Sequence, residues 1–318
     1  MLVRSTANNR LTATMLRTSI VVLSKNDAAN VEAGLKAVYS QKDVDEFEVI
    51  VVDSGSTDGT LEVLSRFPVR VQQIPSTSFH HAQTRNLAAS IARGEILVFL
   101  SQDALPASEF WLTSMLSSFD DPRVGAVYGR QYPRPGCTLE RQEALDTVYG
   151  DKKLIKDPVH RNGMGYRFYH FSDANAAIRK SVWEEVRFPE NMKVFEDLGI
   201  AKRILDRGWK IVYEPKAAVF HSHNHTVTDL FKRYFDIGYT LKLLEIWDAP
   251  GTKKTLFRDM YRLVHKKMQG TRKNRMVRVS RRGIGQDIAK SAGLFLGLNQ
   301  QLLPLVVKRR LSAYRIFE

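Results

Sequence analysis

Carboxylate and imidazole side chains stand at the ends of apolar segments in this sequence, where they could bind a cation or move a proton. Asp103 comes shortly after the unbroken apolar run 96–100 and is followed by Pro106. A carboxylate oxygen at the carboxyl end of a buried strand suits Mg²⁺ or Mn²⁺ carrying a phosphorylated substrate. The alternative is that Asp103 only caps a helix beginning near Ser108.

A second carboxylate, Asp53, ends the apolar run 47–52 and begins a stretch rich in Ser and Gly. Such a group can accept a hydrogen bond from a base N–H or a ribose hydroxyl. Ser24, which ends the run 19–23, could share that role. The alternative is turn chemistry alone, because Asp, Ser and Gly are the residues that tight turns favour.

Two further groups lie later in the chain. His221, His223 and His225 alternate after an apolar run, so in extended backbone their side chains point the same way. Neutral imidazoles can bind a metal, but histidine at a strand end can also be purely structural. Glu196 and Asp197 begin a predicted helix, about a quarter-turn apart, so we expect only one of them to face a substrate. A carboxylate there can act as a general base, or can simply favour the positive helix N-terminus.

Short apolar runs alternate with helical stripes, which predicts an α/β fold with a mostly parallel sheet and right-handed crossovers. The predicted strands are 19–23, 47–52, 69–74, 96–100, 124–128, 174–178, 211–213 and 217–220, and the predicted helices include 81–92, 108–119 and 194–207. Residues 130–171 are predicted to be irregular and to cover the active face. Ligands collect at the carboxyl ends of such strands, so Asp53, Asp103 and Asp197 are expected to converge at one rim.

Composition excludes several classes of protein. The 318 residues are 43% hydrophobic, which is too apolar for a disordered chain. A single cysteine, Cys137, excludes an internal disulfide and fits a reducing compartment, where it is expected to be a free core thiol. Residues 1–18 are polar and predict a flexible leader rather than a signal peptide. The sequence has no apolar run of about eighteen residues, the length that a transmembrane helix needs.

The net charge of +14 is concentrated in one segment. Residues 253–282 carry twelve Lys and Arg against Asp259 alone, a net +11 that leaves +3 for the remainder. Apolar residues interleave with these charges, which predicts a helical, basic C-terminal region, 226–318, at an anionic membrane surface. The rival hypotheses are a nucleic-acid-binding surface and an inert solvated face. Zinc-finger spacing and RNA-binding aromatic motifs are missing, so no nucleic-acid partner is expected.

Taken together, the motifs of residues 19–225 resemble the family 2 inverting glycosyltransferases of the GT-A fold, and look most like bacterial dTDP-rhamnosyltransferases. The motifs that carry the resemblance are Asp53-Ser54-Gly55-Ser56-Thr57-Asp58-Gly59-Thr60, Thr84-Arg85-Asn86-Leu87, Ser101-Gln102-Asp103-Ala104, Phe195-Glu196-Asp197-Leu198 and His221-Ser222-His223. The fold implied is a Rossmann-like, mostly parallel sheet flanked by helices. The implied reaction moves L-rhamnose from dTDP-L-rhamnose to a lipid-linked saccharide in cell-surface polysaccharide synthesis, with a UDP-sugar donor as the alternative. The remote alternative is a non-catalytic basic binding protein.

The resemblance also implies roles for individual residues. The catalytic base would be Asp197, and Mg²⁺ or Mn²⁺ would be bound by Asp103, His221 and His223. The residues implied in nucleotide-sugar binding are Ser24, Asp53, Arg85, Gln102 and Asp103, and those of a donor or acceptor pocket are His80, His81, Asp173, Asn175 and Glu196. The first aspartate of the family's Asp-x-Asp motif is replaced by Ser101, which predicts weaker metal binding. The implied location is cytoplasmic, on the inner face of the bacterial membrane.

Overall fold

The structure, a computed structural model, describes residues 18–161, 164–258 and 281–317, without the side chains of 281 and 282. The predicted leader lies outside this range except for Thr18, which is buried in the first strand. Most of the predicted basic segment 253–282 also lies outside it. Within the described residues, no helix has both the length and the apolar character that crossing a bilayer requires.

Nine strands form one sheet in the described residues. They are β1 (Thr18–Ser24), β2 (Phe47–Asp53), β3 (Val69–Gln73), β4 (Ile96–Ser101), β5 (Leu105–Pro106), β6 (Val124–Tyr132), β7 (Leu154–Lys156), β8 (Asn175–Arg179) and β9 (Lys210–Phe220). The order is β3-β2-β1-β4-β8-β6-β9-β5, with β7 pairing to β9. The first four strands pair in parallel, β8 runs antiparallel to both of its neighbours, and β6 is parallel to β9. The predicted α/β class is confirmed.

The described helices cover both faces of this sheet, and the last three of them follow β9, the last strand in the chain. They are α1 (Ala28–Tyr39), α2 (Thr60–Leu64), α3 (His81–Ile91), α4 (Trp111–Leu116), α5 (Leu139–Val148), α6 (Lys180–Val186), α7 (Glu196–Asp206), α8 (Val227–Leu243), α9 (Arg281–Leu298) and α10 (Leu305–Leu311). Helix α4 is shorter than the predicted 108–119. The region predicted to be irregular, 130–171, contains the end of β6, all of α5 and β7, so that prediction is wrong for these elements.

The strands are buried on both faces because side chains of alternating residues enter two apolar layers. In β1, Val21 packs in one layer, and Ile20 and Val22 pack in the other. Because neither face meets water, the sequence shows unbroken apolar runs rather than alternation. One strand, β9, replaces the two predicted for residues 211–220. Pro215 interrupts its apolar pattern, and the pairing with β6 shifts register there, which accommodates the proline at a bulge.

The C-terminal helices pack on the same core as the sheet. Leu241 of α8 and Leu294 of α9 belong to one of the two apolar layers. The backbones of α8 and α9 touch: a Cβ atom at Gly238 would lie 2.4 Å from the Leu294 carbonyl oxygen, and one at Gly293 would lie 2.2 Å from that of Phe231. Only glycine allows this approach. The predicted boundary at residue 225 therefore falls in a loop, but the helices beyond it share the core of the sheet.

Candidate active site

A cluster of one carboxylate and two imidazoles lies at the rim of the sheet. Asp103 stands in the turn after β4, while His221 and His223 follow β9 directly. The pairing of β5 with β9 brings these segments together, because Leu105 lies opposite Phe220. Asp103 Oδ1 is 3.4 Å from His221 Nε2, and Oδ2 is 3.4 Å from His223 Nε2. The two Nε2 atoms are 3.2 Å apart.

The orientation of His221 fits a metal ligand. Its Nδ1 lies 3.0 Å from Oε1 of Gln131, whose own Nε2 donates to Ser172 Oγ at 2.9 Å. The amide therefore accepts from Nδ1–H, and the lone pair of Nε2 points toward Asp103. Such outer hydrogen bonds fix the tautomer of ligating histidines. A carboxylate oxygen and two ring nitrogens within 4.8 Å of one another can hold a divalent cation such as Mn²⁺.

The charges of this cluster also suit a cation. Burial by itself would raise the pKa of Asp103, but when the histidines are protonated, the hydrogen bond from His221 and the charges of both rings bring it below its ordinary value. Arg134 approaches from the loop after β6, with Nη1 3.9 Å from Asp103 Oδ2 and 3.3 Å from its carbonyl oxygen. The prediction that Asp103 caps a helix is wrong, since α4 begins only at Trp111.

A buried acidic cluster adjoins the histidines. Arg85 of α3 lies between Asp173 and Glu196, with Nε 2.9 Å from Asp173 Oδ2 and Nη1 2.6 Å from Glu196 Oε1. His81 Nδ1 is 3.8 Å from the same Glu196 oxygen, and its side chain is 48% exposed. Ser172, bonded to Gln131, precedes Asp173 in the chain, so the hydrogen bonds that run from His221 through Gln131 end one residue from this cluster.

Asp197 stands at the edge of that cluster, in the first turn of α7. It is partly exposed, and its Oδ1 accepts a hydrogen bond from the Leu198 N–H at 2.7 Å. Burial, together with the charges of Asp173 and Glu196, raises the pKa of Asp197 well above its ordinary value. Burial also raises the pKa of Asp173, to about 6. A carboxylate with a raised pKa is a stronger proton acceptor once it is ionised.

A family model described as glycosyl transferase family 2 matches residues 19–187, more than half of the chain. The chain belongs to glycosyl transferase family 2. This glycosyltransferase is 34% identical to the O-antigen chain rhamnosyltransferase WbaN of Salmonella anatum, over 85% of each chain. It is 33% identical to the O-antigen chain rhamnosyltransferase RfbN of Salmonella typhimurium, over 85% of this chain and 86% of that one.

Solved structures identify the fold of this glycosyltransferase. The mannosyltransferase PcManGT from Pyrobaculum calidifontis, in complex with GDP-Man and Mn²⁺, matches with a TM-score of 0.61 at 19% identity, covering 90% of this chain and 88% of that one. Residues 1–349 of S. aureus TarS match with a TM-score of 0.57 at 18% identity, covering 95% and 88%. The predicted GT-A fold is confirmed.

On the side of β1 and β2, two residues of the predicted nucleotide site are enclosed within the glycosyltransferase. Asp53 is wholly buried, and Ser24 is 3% exposed. Asp53 accepts hydrogen bonds from Ser24 Oγ at 2.8 Å, from Ser56 Oγ at 2.5 Å, and from the N–H groups of Gly55 and Ser56. Neither residue presents a free polar atom. What they do here is hold the loop after β2 in place, and a nucleotide contact stays a prediction.

Three more predicted residues have other partners in this glycosyltransferase. Gln102 is bonded to the backbone of Lys25, with Oε1 accepting its N–H at 2.7 Å, so it joins the loops after β1 and β4. Arg85 forms ion pairs with Asp173 and Glu196 of the buried acidic cluster, and its contact with the nucleotide stays a prediction. Asn175 is wholly buried in the sheet, so it does not line a pocket; it accepts from Trp111 Nε1 and donates to the Ala217 carbonyl.

Other residues have local roles or were not predicted. His80 caps α3 by accepting from the Gln83 N–H. Cys137 is partly exposed rather than in the core, in a loop that lines a cavity of about 320 Å³ beside the histidines. Sequence reasoning missed Gln131 and Arg134. The only signal for Arg134 was its place between two prolines in a segment rich in Tyr and Arg.

Proposed function

We propose that this glycosyltransferase moves L-rhamnose from dTDP-L-rhamnose to a lipid-linked saccharide, with inversion at the anomeric carbon, in the synthesis of cell-surface polysaccharide. Its similarity to two O-antigen chain rhamnosyltransferases over most of their length supports this sugar and this process. The observation that carries the proposal is the proximity of two groups. A carboxylate with a raised pKa, Asp197, lies at the edge of the acidic cluster, and hydrogen bonds from the set of metal-binding side chains run through Gln131 to within one residue of that cluster.

The diphosphate of the donor is the leaving group of this reaction. A divalent cation, which Asp103, His221 and His223 would hold, supplies positive charge for that leaving group when it is bound. Arg134 adds a fixed positive charge beside the same carboxylate. Preorganised charge of this kind stabilises a transition state more effectively than water does, because it needs no reorganisation. Because Ser101 replaces the first aspartate of the Asp-x-Asp motif, the two histidines would complete the set of metal ligands with Asp103.

In this proposal, Asp197 activates the acceptor. It takes the proton of an acceptor hydroxyl while that oxygen bonds to the anomeric carbon and the bond from that carbon to the diphosphate breaks. Attack opposite the leaving group inverts the configuration. Asp173 and Glu196 raise the proton affinity of the base, and the Arg85 guanidinium neutralises both of them. His81, exposed beside Glu196, lines the same cleft.

A donor screen tests the reaction. Purified protein is incubated with dTDP-L-rhamnose, UDP-glucose, UDP-N-acetylglucosamine and GDP-mannose in Mn²⁺ or Mg²⁺, and the release of nucleotide is measured. We expect release with dTDP-L-rhamnose, and its suppression by chelation of the metal. Release of nucleotide from a UDP-sugar alone would show that the donor is that UDP-sugar. If no donor releases nucleotide, with or without a membrane extract as acceptor, the proposed reaction is wrong.

We also propose that the protein works at the inner face of the cytoplasmic membrane. Large apolar side chains are exposed along α9 and beyond it: Ile288 is 64% exposed, Phe295 65%, Leu302 77% and Val306 62%. Three basic residues, 308–310, follow in α10. Apolar groups beside lysine and arginine suit the interface of an anionic bilayer.

Sedimentation with liposomes tests this location. At low salt, we expect the wild type to pellet with vesicles containing phosphatidylglycerol, and the double variant Ile288→Asp, Phe295→Asp to stay in the supernatant. Val159→Asp is the matched control, since Val159 is 71% exposed but lies away from these helices. Equal sedimentation of all three proteins would contradict the proposed surface.

A further inference from the structure

Two arginines near the base have no acidic partner. Arg141 lies in the first turn of α5, and Arg233 lies in α8. Within the described residues, neither guanidinium forms an ion pair with a carboxylate. The Nε atom of Arg141 is buried and has no hydrogen-bond partner. Both residues are partly exposed, so a ligand can reach them, and the buried, unpartnered Nε of Arg141 makes this pair a candidate site for an anion.

Their positions place them beside the reacting groups. The N-terminal end of α5 is tied to the histidine loop, because the N–H of Thr138 donates to Asn224 Oδ1 at 3.0 Å. Arg233 lies over the ring of Phe195, with its guanidinium carbon 5.5 Å from the ring centroid. Phe195 immediately precedes Glu196 and Asp197 in the chain. One arginine thus adjoins the metal-binding loop, and the other adjoins the base.

Tyr149 lies near the two arginines and near Asp197. Tyr149, buried at the end of α5, is close enough to Asp197, Arg141 and Arg233 for all three charges to act on its pKa. Burial is the main reason that this pKa is raised. All three charged groups therefore lie in the neighbourhood of Tyr149. Stacking on Phe195 and Tyr314 accounts for the position of Arg233, but it leaves the Nε of Arg141 without a partner.

We propose that Arg141 and Arg233 bind the diphosphate group of a lipid-linked acceptor, an inference that rests on the proposed function. Guanidinium groups bind phosphate oxygens in a bidentate fork. The donor's diphosphate belongs at Asp103, beyond the histidines. Arg233 instead lies on α8, which packs directly against α9, and α9 carries the exposed Ile288 and Phe295. A prenyl chain would continue from the arginine pair onto that apolar face.

The test uses citronellyl diphosphate, a short isoprenyl diphosphate, titrated calorimetrically in EDTA so that no metal site contributes. Arg141→Gln and Arg233→Gln are each expected to weaken binding about ten- to hundredfold, as loss of a charge-assisted contact does. Arg187→Gln is the matched control, because Arg187 is exposed and stacks on Trp183 at 5.2 Å. Binding that is unchanged in both variants, or equally weakened in the control, overturns the proposal.

A second arm separates the acceptor's diphosphate from the donor's. In saturating dTDP and Mn²⁺, citronellyl diphosphate should still bind, and binding should still depend on Arg141. Loss of that binding when dTDP is present would assign the arginines to the donor and overturn the proposal. Each variant must keep the wild-type affinity for dTDP. If Arg141→Gln misfolds, Arg141→Lys takes its place and should also weaken binding, because it keeps the charge but loses the fork.

These titrations need no turnover. If the wild type releases no nucleotide from any donor, the proposed function fails, whereas the titrations still decide whether the arginines bind a diphosphate. If transfer occurs and the variants bind citronellyl diphosphate as the wild type does, only the present inference fails. In transfer assays with phosphorylated acceptors, the variants should raise KM for the acceptor and leave KM for the donor unchanged.

Discussion

The two halves of the sheet treat their polar groups differently. In the half formed by β1 to β4, Asp53 and Gln102 have their oxygens occupied by neighbouring loops. In the half formed by β8, β6 and β9 with their helices, Asp197 has a strongly raised pKa and Arg141 has an unpartnered nitrogen. In the first half, the polar side chains named here have hydrogen-bond partners within the protein. The polar groups with incomplete compensation, Asp197 and Arg141, belong to the second half. Perturbed groups of that kind mark sites of chemistry.

The largest expected effect is on catalysis in the second half. Asp197→Asn removes the proposed base, so kcat should fall by roughly 10²–10⁴-fold while the dTDP affinity is kept. Steady-state transfer assays and nucleotide titrations measure the two quantities. Asp206→Asn, an exposed change at the other end of α7, is the control. If the Asp197→Asn enzyme were fully active, Asp197 would not be the base, and the second half of the sheet would not be set apart by its chemistry.

A smaller effect is expected at the side-chain amide of Gln131, in β6 of the second half, which orients His221. Gln131→Leu leaves every proposed ligand in place but removes the acceptor of the Nδ1 proton. Its affinity for Mn²⁺ should fall by about 10–100-fold, the usual effect of losing such a partner. Electron paramagnetic resonance of free Mn²⁺ measures it, with the exposed Gln72→Leu of β3 as the control. Equal affinities in the two variants would mean that the tautomer of His221 is set by something else.

The same chemical change should alter stability with opposite signs in the two halves. Asp53→Asn keeps Oδ1 but replaces Oδ2, the acceptor of the Ser24 and Ser56 hydroxyl groups, and should cost about 1–3 kcal/mol in the free energy of unfolding. Asp197→Asn should instead stabilise the fold at pH 8, because it removes a partly buried charge that lies beside Asp173 and Glu196. The raised pKa means that folded protein keeps this proton to higher pH than unfolded protein does. This contribution of Asp197 therefore favours the fold at low pH and is lost as pH rises through the folded pKa.

Thermal unfolding between pH 5 and 8 checks both signs. The midpoint of Asp197→Asn should exceed that of the wild type at pH 8, by roughly 2–4 °C for each kcal/mol relieved, and the excess should shrink as the pH falls. The deficit of Asp53→Asn should persist across the range. If both variants were destabilised alike at pH 8, the charge on Asp197 would not be costly, and the contrast between the halves would be wrong.

The smallest expected effect is a displacement of the pH profile. Asp197 must be ionised to accept a proton, so kcat/KM should decline as pH falls through its pKa. The charges of Asp173 and Glu196 contribute to raising that pKa. Asp173→Asn removes one of these charges, so the acid limb should move to lower pH. Profiles at constant ionic strength measure the limb, and a limb that stays in place would show that Asp173 does not tune the base.

The two halves also differ in how well the sequence predicted them. The strands of the first half are short apolar runs in consecutive units, so their bounds were predicted to within one or two residues. Helix α5 was missed because only Leu145 in it is buried, which leaves no apolar stripe. β9 was divided because Pro215 interrupts its pattern. The local sequence does not predict that the strand continues past Pro215 through a bulge.

Site residues follow the same division. Asp103, His221 and His223 were predicted as one ligand set, and the structure brings them together. Arg85 was placed in the nucleotide-sugar site by the family resemblance, whereas its partners Asp173 and Glu196, 88 and 111 residues away, are apparent only in the folded chain. The burial of Asn175 could not be predicted from the sequence, because an amide at the start of a strand can lie in a pocket or in the core. Long-range pairing, rather than local pattern, decides these roles.

The turn after α10 has a consequence for handling this protein. Buried Asp236 of α8 accepts hydrogen bonds from the N–H groups of Ala313 and Tyr314. The Tyr314 ring packs edge-on against Phe195, whose backbone has the unfavourable φ of +57° directly before the acidic pair. Truncation after Leu311 would therefore remove Tyr314 and its support of Phe195, while leaving the exposed apolar residues of α9 in place. Solubility is better sought by point changes on the outer face of α9 than by shortening the polypeptide.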